Sequence, residues 1–290
     1  MGPNPDYLNQ SPGFWANVRL ISQKLGYTDR KTKQIKVPSL PEITLNYRKE
    51  GLNTHQLETP TGPTEFGQKL LDYFLFRADL LNAQVEPLLM NADRAKVLFE
   101  ETKAHYNPTC PLPFNKQTGD KKAHAYFTSI INMLIKANVG TYTVNYDPRL
   151  LTSFTHQGLP VRTLSRRVDG AFPDTINPIA IWEIKEYYYT KTFGSRVADG
   201  VYETLLDGLE LQEVRATLNR TASHYLFIDD HFTWWDCGRS YLCRVCDMMH
   251  MGLVTEVVFG REVMDRVPTL VQQWVEQAQA LGLPPKSQLH

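Results

Sequence analysis

Hydrophobic and polar positions change their rhythm partway along this chain. In roughly the first third, apolar side chains recur every three to four positions, which is typical of amphipathic helices. This spacing predicts helices over residues 14–25, 64–80 and 91–105. The prolines that recur between positions 38 and 63 predict loops and short extended pieces in residues 27–63. We therefore expect a mostly helical N-terminal region at 1–118.

After a proline-rich stretch at 107–119, predicted strands alternate with predicted helices. The strands are expected at 141–145, 162–172, 179–188, 224–229 and 253–259. The helices are expected at 121–138, 196–218, 239–251 and 267–281. Such alternation predicts an α/β fold, a largely buried mixed sheet covered by helices on both faces. We place this core at 119–290.

Two charged residues stand inside the most apolar of these strands. Glu183 and Lys185 are two positions apart, so both side chains project from the same face of a strand. An unpaired ion in a protein interior costs several kcal/mol, so charge in a core strand needs a cause. Asp169 ends the preceding predicted strand, and an antiparallel pairing of the two strands would bring it close to Glu183. The three residues therefore form a candidate site.

These three side chains suggest a specific chemistry. Two converging carboxylates favour a hard divalent cation with oxygen ligands, most naturally Mg²⁺, with Mn²⁺ as a substitute. A lysine beside that cation can orient or help to deprotonate an attacking water, while the metal offsets charge on a phosphate undergoing in-line displacement. The combination favours hydrolysis of phosphodiester bonds.

Asp169 followed by Glu183-Ile184-Lys185 in an α/β/α layout resembles the PD-(D/E)XK nuclease superfamily, which includes many type II restriction endonucleases. Val168 stands where the family pattern has proline. The resemblance implies a restriction-endonuclease-like core with Asp169 and Glu183 as metal ligands and Lys185 as the catalytic residue acting on the nucleophilic water. Glu203, on the long helix that follows, is a weaker candidate for an additional ligand. By the same resemblance we expect a magnesium-dependent, sequence-specific endonuclease of double-stranded DNA that acts as a homodimer.

Basic side chains flank the motif and are candidates for contacts with DNA phosphates, although an exposed strand end explains them equally well. These residues are Arg162, Arg166, Arg167, Lys191 and Arg196. Residues 1–50 carry eight Lys and Arg against four Asp and Glu, and they are rich in side chains that can bind base edges. The N-terminal region is therefore the expected source of sequence specificity.

Cys237, Cys243, Cys246 and His250 have a spacing that can hold zinc. However, the predicted helix at 239–251 places the second and third cysteines among its apolar positions, and buried thiols behave as small hydrophobes. We therefore expect no zinc site here. A zinc-stabilised interaction module remains an alternative to the nuclease hypothesis.

Composition narrows the remaining classes. The formal net charge is zero and 42% of residues are hydrophobic, as in ordinary folded proteins. No apolar run is long enough to span a bilayer, and four cysteines do not make a disulfide scaffold, so we expect a cytoplasmic protein without a membrane partner. Two further alternatives remain open: a repair or phage-defence nuclease acting on structured or single-stranded DNA, and a non-catalytic DNA-binding protein.

Overall fold

The computed structural model describes residues 1–29, 31–115, 123–190, 194–218, 220 and 222–285. It is a mixed α/β structure with a central sheet of four strands. Helices fill the N-terminal part, and the sheet lies in the remainder of the chain. Across the described ranges, no helix is both long and apolar enough to cross a membrane.

The N-terminal part is built from short helices with well-formed caps. They are α1 (Pro5–Leu8), α2 (Pro12–Leu25), α3 (Leu40–Lys49) and α4 (Glu65–Asp79). The side chains of Ser11 and Thr64 accept hydrogen bonds from backbone N–H groups in the first turns of α2 and α4, as N-cap residues do. Strands β1 (Glu58–Thr59) and β2 (Gly62–Pro63) form a short hairpin before α4.

Helix α3 corrects the prediction of loops throughout residues 27–63. Pro41 lies in the first turn of this helix, where its missing N–H group leaves no hydrogen bond unmade. Ser39 and Glu42 form a capping box around the same turn. A proline that was interpreted as a helix breaker therefore marks a helix start.

Helices α5 (Ala92–Tyr106) and α6 (Tyr126–Asn138) follow, after a π-helical turn at Leu80–Val85 and a 3-10 turn at Glu86–Leu88. Ala95 and Phe99 of α5 belong to the same hydrophobic cluster as Phe127 and Ile131 of α6. Helix α5 therefore packs as part of the core around the sheet, although it precedes residue 119.

The central sheet has the order β5-β6-β7-β8. Its strands are β5 (Gly170–Phe172), β6 (Ala180–Glu186), β7 (Ser223–Asp229) and β8 (Glu256–Phe259). Strand β5 is antiparallel to β6, whereas β6, β7 and β8 are parallel. A separate hairpin, β3 (Ser153–His156) with β4 (Leu159–Thr163), precedes the sheet.

Helices cover both faces of the sheet, as expected. Helices α7 (Ser195–Leu218), α8 (Arg239–His250) and α9 (Val263–Ala280) complete the fold. On one face α5, α6 and α9 bury Trp182, whose ring stacks on Trp274 with 5.4 Å between centroids. On the other face α7 and α8 pack against Leu226 and Val257. The predicted mixed sheet with helices on both faces is confirmed.

Two predicted strands are wrong. Residues 141–144 form turns and coil, and only Asn145 forms an isolated bridge, to Ala171. The strand predicted at 162–172 is divided, because residues 164–169 leave the β-structure between β4 and β5. Leu164 and Val168 are buried against α7 instead of pairing with a strand. This excursion carries Arg166, which belongs to the site described next.

Candidate active site

Strands β5 and β6 bring Asp169 beside Glu183. Gly170 pairs with Trp182, so the antiparallel register places the preceding Asp169 opposite Glu183. Asp169 donates its N–H to the carbonyl of Trp182 (3.1 Å), and its Oδ2 accepts a hydrogen bond from the N–H of Ile184 (2.8 Å). A Cβ at position 170 would lie 2.0 Å from the Trp182 ring, so glycine is needed there. The two predicted metal ligands are thus neighbours on adjacent strands.

Lys185 and Glu183 share the face of β6 that is turned towards α7. Lys185 Nζ lies 2.8 Å from Glu183 Oε2 and 3.0 Å from Glu203 Oε2. Glu183 has no exposed surface and Lys185 is 8% exposed, whereas Glu203 is half-exposed. Gly200 of α7 makes room for the lysine, because a Cβ there would lie 3.2 Å from the Lys185 side chain. The candidates Glu183 and Lys185 of β6 and Glu203 of α7 therefore meet in one place.

Arg166 enters the same cluster from the segment before β5. Its Nη1 lies 2.9 Å from Glu183 Oε1 and 2.7 Å from Asp207 Oδ2, and its Nη2 lies 3.2 Å from Glu203 Oε2. One guanidinium group thus bridges three carboxylates. Sequence analysis placed this residue among the DNA contacts, and the structure places it against acids of the protein.

Asp207 is the site residue that sequence analysis missed. It is fully buried on α7, one helical turn after Glu203 and one turn before Glu210. Positions separated by three and four residues lie on the same face of a helix. The spacing of Glu203, Asp207 and Glu210 was therefore the feature of the sequence that could have identified Asp207. Glu210 accepts hydrogen bonds from the N–H (3.0 Å) and Oγ (2.7 Å) of Ser165, which anchors the segment that carries Arg166.

We call Asp169, Glu183, Glu203 and Asp207, with Arg166 and Lys185, the acid cluster. When all six groups are ionised, four negative and two positive charges leave a net charge of −2. Burial raises the pKa of Asp207 to about 7 and that of Asp169 to about 6, with the charge of Glu183 adding to both effects. Asp169 is nevertheless exposed to solvent. For Glu183 itself, Lys185 and Arg166 outweigh burial and hold the pKa below its usual value.

The donor set of the acid cluster fits a divalent cation. All candidate ligands are carboxylate oxygens, the kind that Mg²⁺ and Mn²⁺ prefer, and the net charge of −2 equals what such an ion neutralises. Glu183 Oε1 and Asp207 Oδ1 are buried without an accepted hydrogen bond, since Arg166 Nη1 approaches Glu183 Oε1 outside hydrogen-bond geometry. Within the described ranges, no three His, Cys, Asp or Glu side chains converge on one metal position. Arg166 and Lys185 occupy the space between the carboxylates.

A cavity of about 260 Å³ opens on the other side of Asp169. Ile184, Glu186 and the exposed ring of Phe114 also line it. Glu186 accepts hydrogen bonds from the N–H (3.0 Å) and Oγ1 (2.9 Å) of Thr128 at the start of α6, and burial raises its pKa to about 7. Asp169 therefore lies between the other residues of the acid cluster and an accessible cavity.

The predicted DNA-contacting residues fall into three groups. Arg162 is paired with Glu210 (2.7 Å) and Arg166 with the acid cluster. Arg167 and Arg196 are exposed, and neither forms an ion pair with another described residue. Lys191 lies outside the described residues.

The four zinc candidates lie in and beside α8. Cys243 and Cys246 are buried among the apolar side chains of the core, and Cys237 is exposed. His250 is buried, with Nδ1 2.8 Å from the carbonyl of Cys246. Burial raises the pKa of both buried thiols, which disfavours the thiolate form that binds zinc.

Two family models cover most of the chain. One, described as a domain of unknown function (DUF7690), matches residues 1–84. The other, described as a domain of unknown function (DUF7687), matches residues 90–274. Neither the curated proteins nor the solved structures contain a match to the chain. Because the second match spans more than half of the sequence, the chain belongs to the DUF7687 family.

Proposed function

We propose that this protein is a magnesium-dependent DNA endonuclease with a PD-(D/E)XK-like core. The observation that carries the proposal is the meeting of Asp169, Glu183 and Lys185 on adjacent strands, with the lysine ammonium 2.8 Å from the Glu183 carboxylate in a buried site. Buried charges that are not balanced one to one, with displaced pKa values, are typical of functional sites. The excess of two negative charges accounts for the need for a divalent cation.

Each residue of the acid cluster has a role in this proposal. Asp169 and Glu183 would hold the cation, and Glu203 would be available as a further oxygen donor. A bound Mg²⁺ or Mn²⁺ would supply an acidified water and neutralise charge on the scissile phosphate. Burial favours the neutral amine of Lys185, but Glu183 and Asp169 together raise its pKa above the usual value. Lys185 therefore acts as a protonated donor that orients the attacking water.

Arg166 has a role that the family resemblance does not supply. Its guanidinium lies between Glu183, Glu203 and Asp207, where it offsets their mutual repulsion. Arginine also binds phosphate with two parallel hydrogen bonds. We propose that Arg166 would turn from Glu183 and Glu203 towards the substrate phosphate. Asp207, whose Oδ2 lies 2.7 Å from Arg166 Nη1, would keep its contact and hold the arginine near the site.

The wider architecture supports a restriction-type enzyme. The sheet carries the three motif residues where β5 begins and on the adjacent strand β6, with helices on both faces, which suits a restriction-endonuclease-like core. We propose a type II, sequence-specific enzyme that acts as a homodimer on double-stranded DNA, because a two-fold dimer matches a palindromic duplex. The helical N-terminal part would then supply base recognition.

One observation favours a second substrate, single-stranded or structured DNA. The Phe114 ring is 58% exposed at the mouth of the cavity beside Asp169 and stacks on His124 with 4.7 Å between centroids. Exposed aromatic rings of this kind are platforms on which unpaired bases stack. A repair or phage-defence nuclease of the same superfamily would use such a platform.

Digestion of plasmid DNA tests both substrates. Methylated and unmethylated plasmids, and a single-stranded circle, are incubated with the protein in Mg²⁺ or EDTA. The matched variants are Lys185→Ala and Lys103→Ala. Lys103 follows an acid at the same spacing but lies exposed on helix α5.

We expect cleavage that requires Mg²⁺, is lost by about 10²–10⁴-fold in Lys185→Ala, and is unchanged in Lys103→Ala. Discrete duplex fragments indicate the restriction enzyme, and preferential cleavage of the circle indicates the second substrate. Absence of metal-dependent cleavage of every substrate by folded wild-type protein would overturn the nuclease proposal.

A further inference from the structure

A second pocket lies between the N-terminal helices and the core. Its volume is about 350 Å³, which is within the range of small-molecule sites. Helix α2 and the turn after it contribute Arg19 and Tyr27, whereas α7 and α8 contribute the remaining wall. The pocket is therefore lined by residues from both family matches, 1–84 and 90–274.

Arg244 is held in a fixed position at one side of the pocket. Its guanidinium carbon lies 5.5 Å from the centre of the Tyr27 ring and 4.9 Å from that of Tyr241. Its Nη1 donates a hydrogen bond to the hydroxyl of Tyr202 (2.8 Å). Rings on which a guanidinium stacks restrict its orientation without neutralising its charge. The remaining N–H groups of Arg244 are thus presented in a set direction.

The pocket has an excess of positive charge. Within the described ranges, neither Arg19 nor Arg244 forms an ion pair with a carboxylate. The one acid among the lining residues, Asp247, is already paired with Arg77 (3.0 Å) and accepts a hydrogen bond from Tyr73 (2.6 Å). Arg77, Arg162 and Arg166, by comparison, each have a carboxylate partner. Two arginines without such partners in one concave site indicate a place for an anion.

The rest of the lining is suited to a flat ring. Val201, Leu205 and Met248 supply apolar surface, and the Tyr27 and Tyr202 rings border it. Aromatic and apolar side chains accept a planar group face on, while guanidinium groups bind phosphate oxygens in pairs. We propose that this pocket binds a mononucleotide, with its phosphate at Arg19 and Arg244 and its base against the apolar wall. The proposal stands apart from the nuclease proposal, because the residues of the acid cluster do not line this pocket.

Isothermal titration calorimetry on the full-length protein tests this assignment. The probes are the four deoxynucleoside monophosphates, AMP, inorganic phosphate and a short oligonucleotide with a 5′-phosphate. The variants are Arg19→Gln, at an exposed position, and Arg244→Gln, with Arg94→Gln of helix α5 as a control at another exposed site. Circular dichroism establishes that each variant is folded.

We expect at least one mononucleotide to bind more tightly than inorganic phosphate. Its affinity should fall about tenfold or more in Arg19→Gln and in Arg244→Gln, and stay unchanged in Arg94→Gln. Binding of the oligonucleotide alone would assign the anion to a nucleic-acid strand and overturn the proposal. Equal affinity for inorganic phosphate, no binding of any mononucleotide at millimolar concentration, or binding insensitive to both arginines would overturn it as well. Since none of these readouts is cleavage, failure of the nuclease assay does not affect the result.

Discussion

Two arginine–carboxylate clusters in this molecule differ in the balance of their charges. Between α4 and α8, Arg77 pairs with Asp247, and both side chains are almost fully buried. Tyr73 donates a hydrogen bond to Asp247 (2.6 Å) and Arg77 Nη2 donates one to Ser22 (3.1 Å), while Arg77 Nε has no acceptor among the described residues. Around Arg166, by contrast, four carboxylates face two cations, and two carboxylate oxygens accept no hydrogen bond.

The difference separates a structural contact from a candidate site. A buried pair with matched charges holds two elements in register, here the N-terminal helices against the core. An unmatched cluster costs stability unless a further ligand completes it, and such clusters gather at functional sites. Mutations around Arg77 should therefore mainly lower the free energy of unfolding. Mutations in the acid cluster should mainly weaken metal binding and catalysis.

The largest effect on folding is expected for Asp247→Asn. The substitution removes the carboxylate paired with Arg77, which is 1% exposed, and leaves a buried guanidinium without a charge partner among the described residues. We expect the free energy of unfolding to fall by about 3–5 kcal/mol in urea titrations at neutral pH. Asp72→Asn, on the exposed face of α4, is the control and should change it by less than about 0.5 kcal/mol. A loss below about 1 kcal/mol for Asp247→Asn would mean that the pair does not hold the two parts together.

The next effect is a dependence of stability on pH that Asp207 confers. Its pKa of about 7 in the folded protein lies above its value in the unfolded chain, so the folded state holds the extra proton between about pH 4 and 7. Stability should therefore fall as pH rises through this window and level off above it. Asp207→Asn has no carboxyl group to titrate at this position. From pH 5 to pH 8 the wild-type unfolding free energy should therefore fall by about 2 kcal/mol relative to that of the variant. If the unfolding free energies of the two proteins changed in parallel with pH, the raised pKa of Asp207 would be contradicted.

A smaller effect on folding is expected for Glu183→Gln, although Glu183 is as buried as Asp247. After the substitution Arg166 keeps Asp207 and Glu203, and Lys185 keeps Glu203, so no cation is left without a partner. We expect a change in unfolding free energy of at most about 1 kcal/mol in the same urea titrations. A cost equal to that of Asp247→Asn would place the acid cluster in the structural class and remove the distinction between the two regions.

The smallest effect concerns the exposed arginines next to the acid cluster. If Arg167 and Arg196 contact DNA phosphates, replacing either with Ala should lower the slope of log affinity against log salt concentration by about 0.9. Fluorescence anisotropy with a labelled duplex in Ca²⁺ measures this slope without cleavage. Arg215→Ala is the control, because Arg215 lies in the last turn of α7 and Arg196 in the first, roughly 29 Å apart along the helix. An equal effect of all three variants would indicate general charge attraction instead of a phosphate-binding surface.

The sequence predicted the elements whose local pattern and tertiary packing agree. The alternation in β6 places Glu183 and Lys185 on one face, and the long apolar stripe of α7 predicted its span to within one residue. The predicted helix starts at residues 64 and 91 likewise coincide with the N-caps of α4 and α5, Thr64 and Asn91. In each case neighbouring residues along the chain carried the information.

The sequence could not predict the features that depend on distant contacts. Residues 164–169 fall within a predicted strand, but Leu164 and Val168 are buried against α7, and this places Arg166 in the acid cluster. Asp207 gave a helical spacing but no local sign that its face would be buried. The pocket at Arg244 needs α2 from the opposite end of the chain, so no local pattern contains it.

Direct measurement of Mg²⁺ and Mn²⁺ binding by calorimetry at pH 8 tests the central claim, that the unbalanced acid cluster is a site for a divalent cation. Wild-type protein is compared with Glu183→Gln and with Asp72→Asn, the surface control on α4. We predict saturable binding of the ion by wild type and Asp72→Asn, with affinity at least about tenfold lower in Glu183→Gln. The ion should raise the thermal stability only of the proteins that bind it. Binding of equal strength in all three proteins, or none in wild type, would contradict the account.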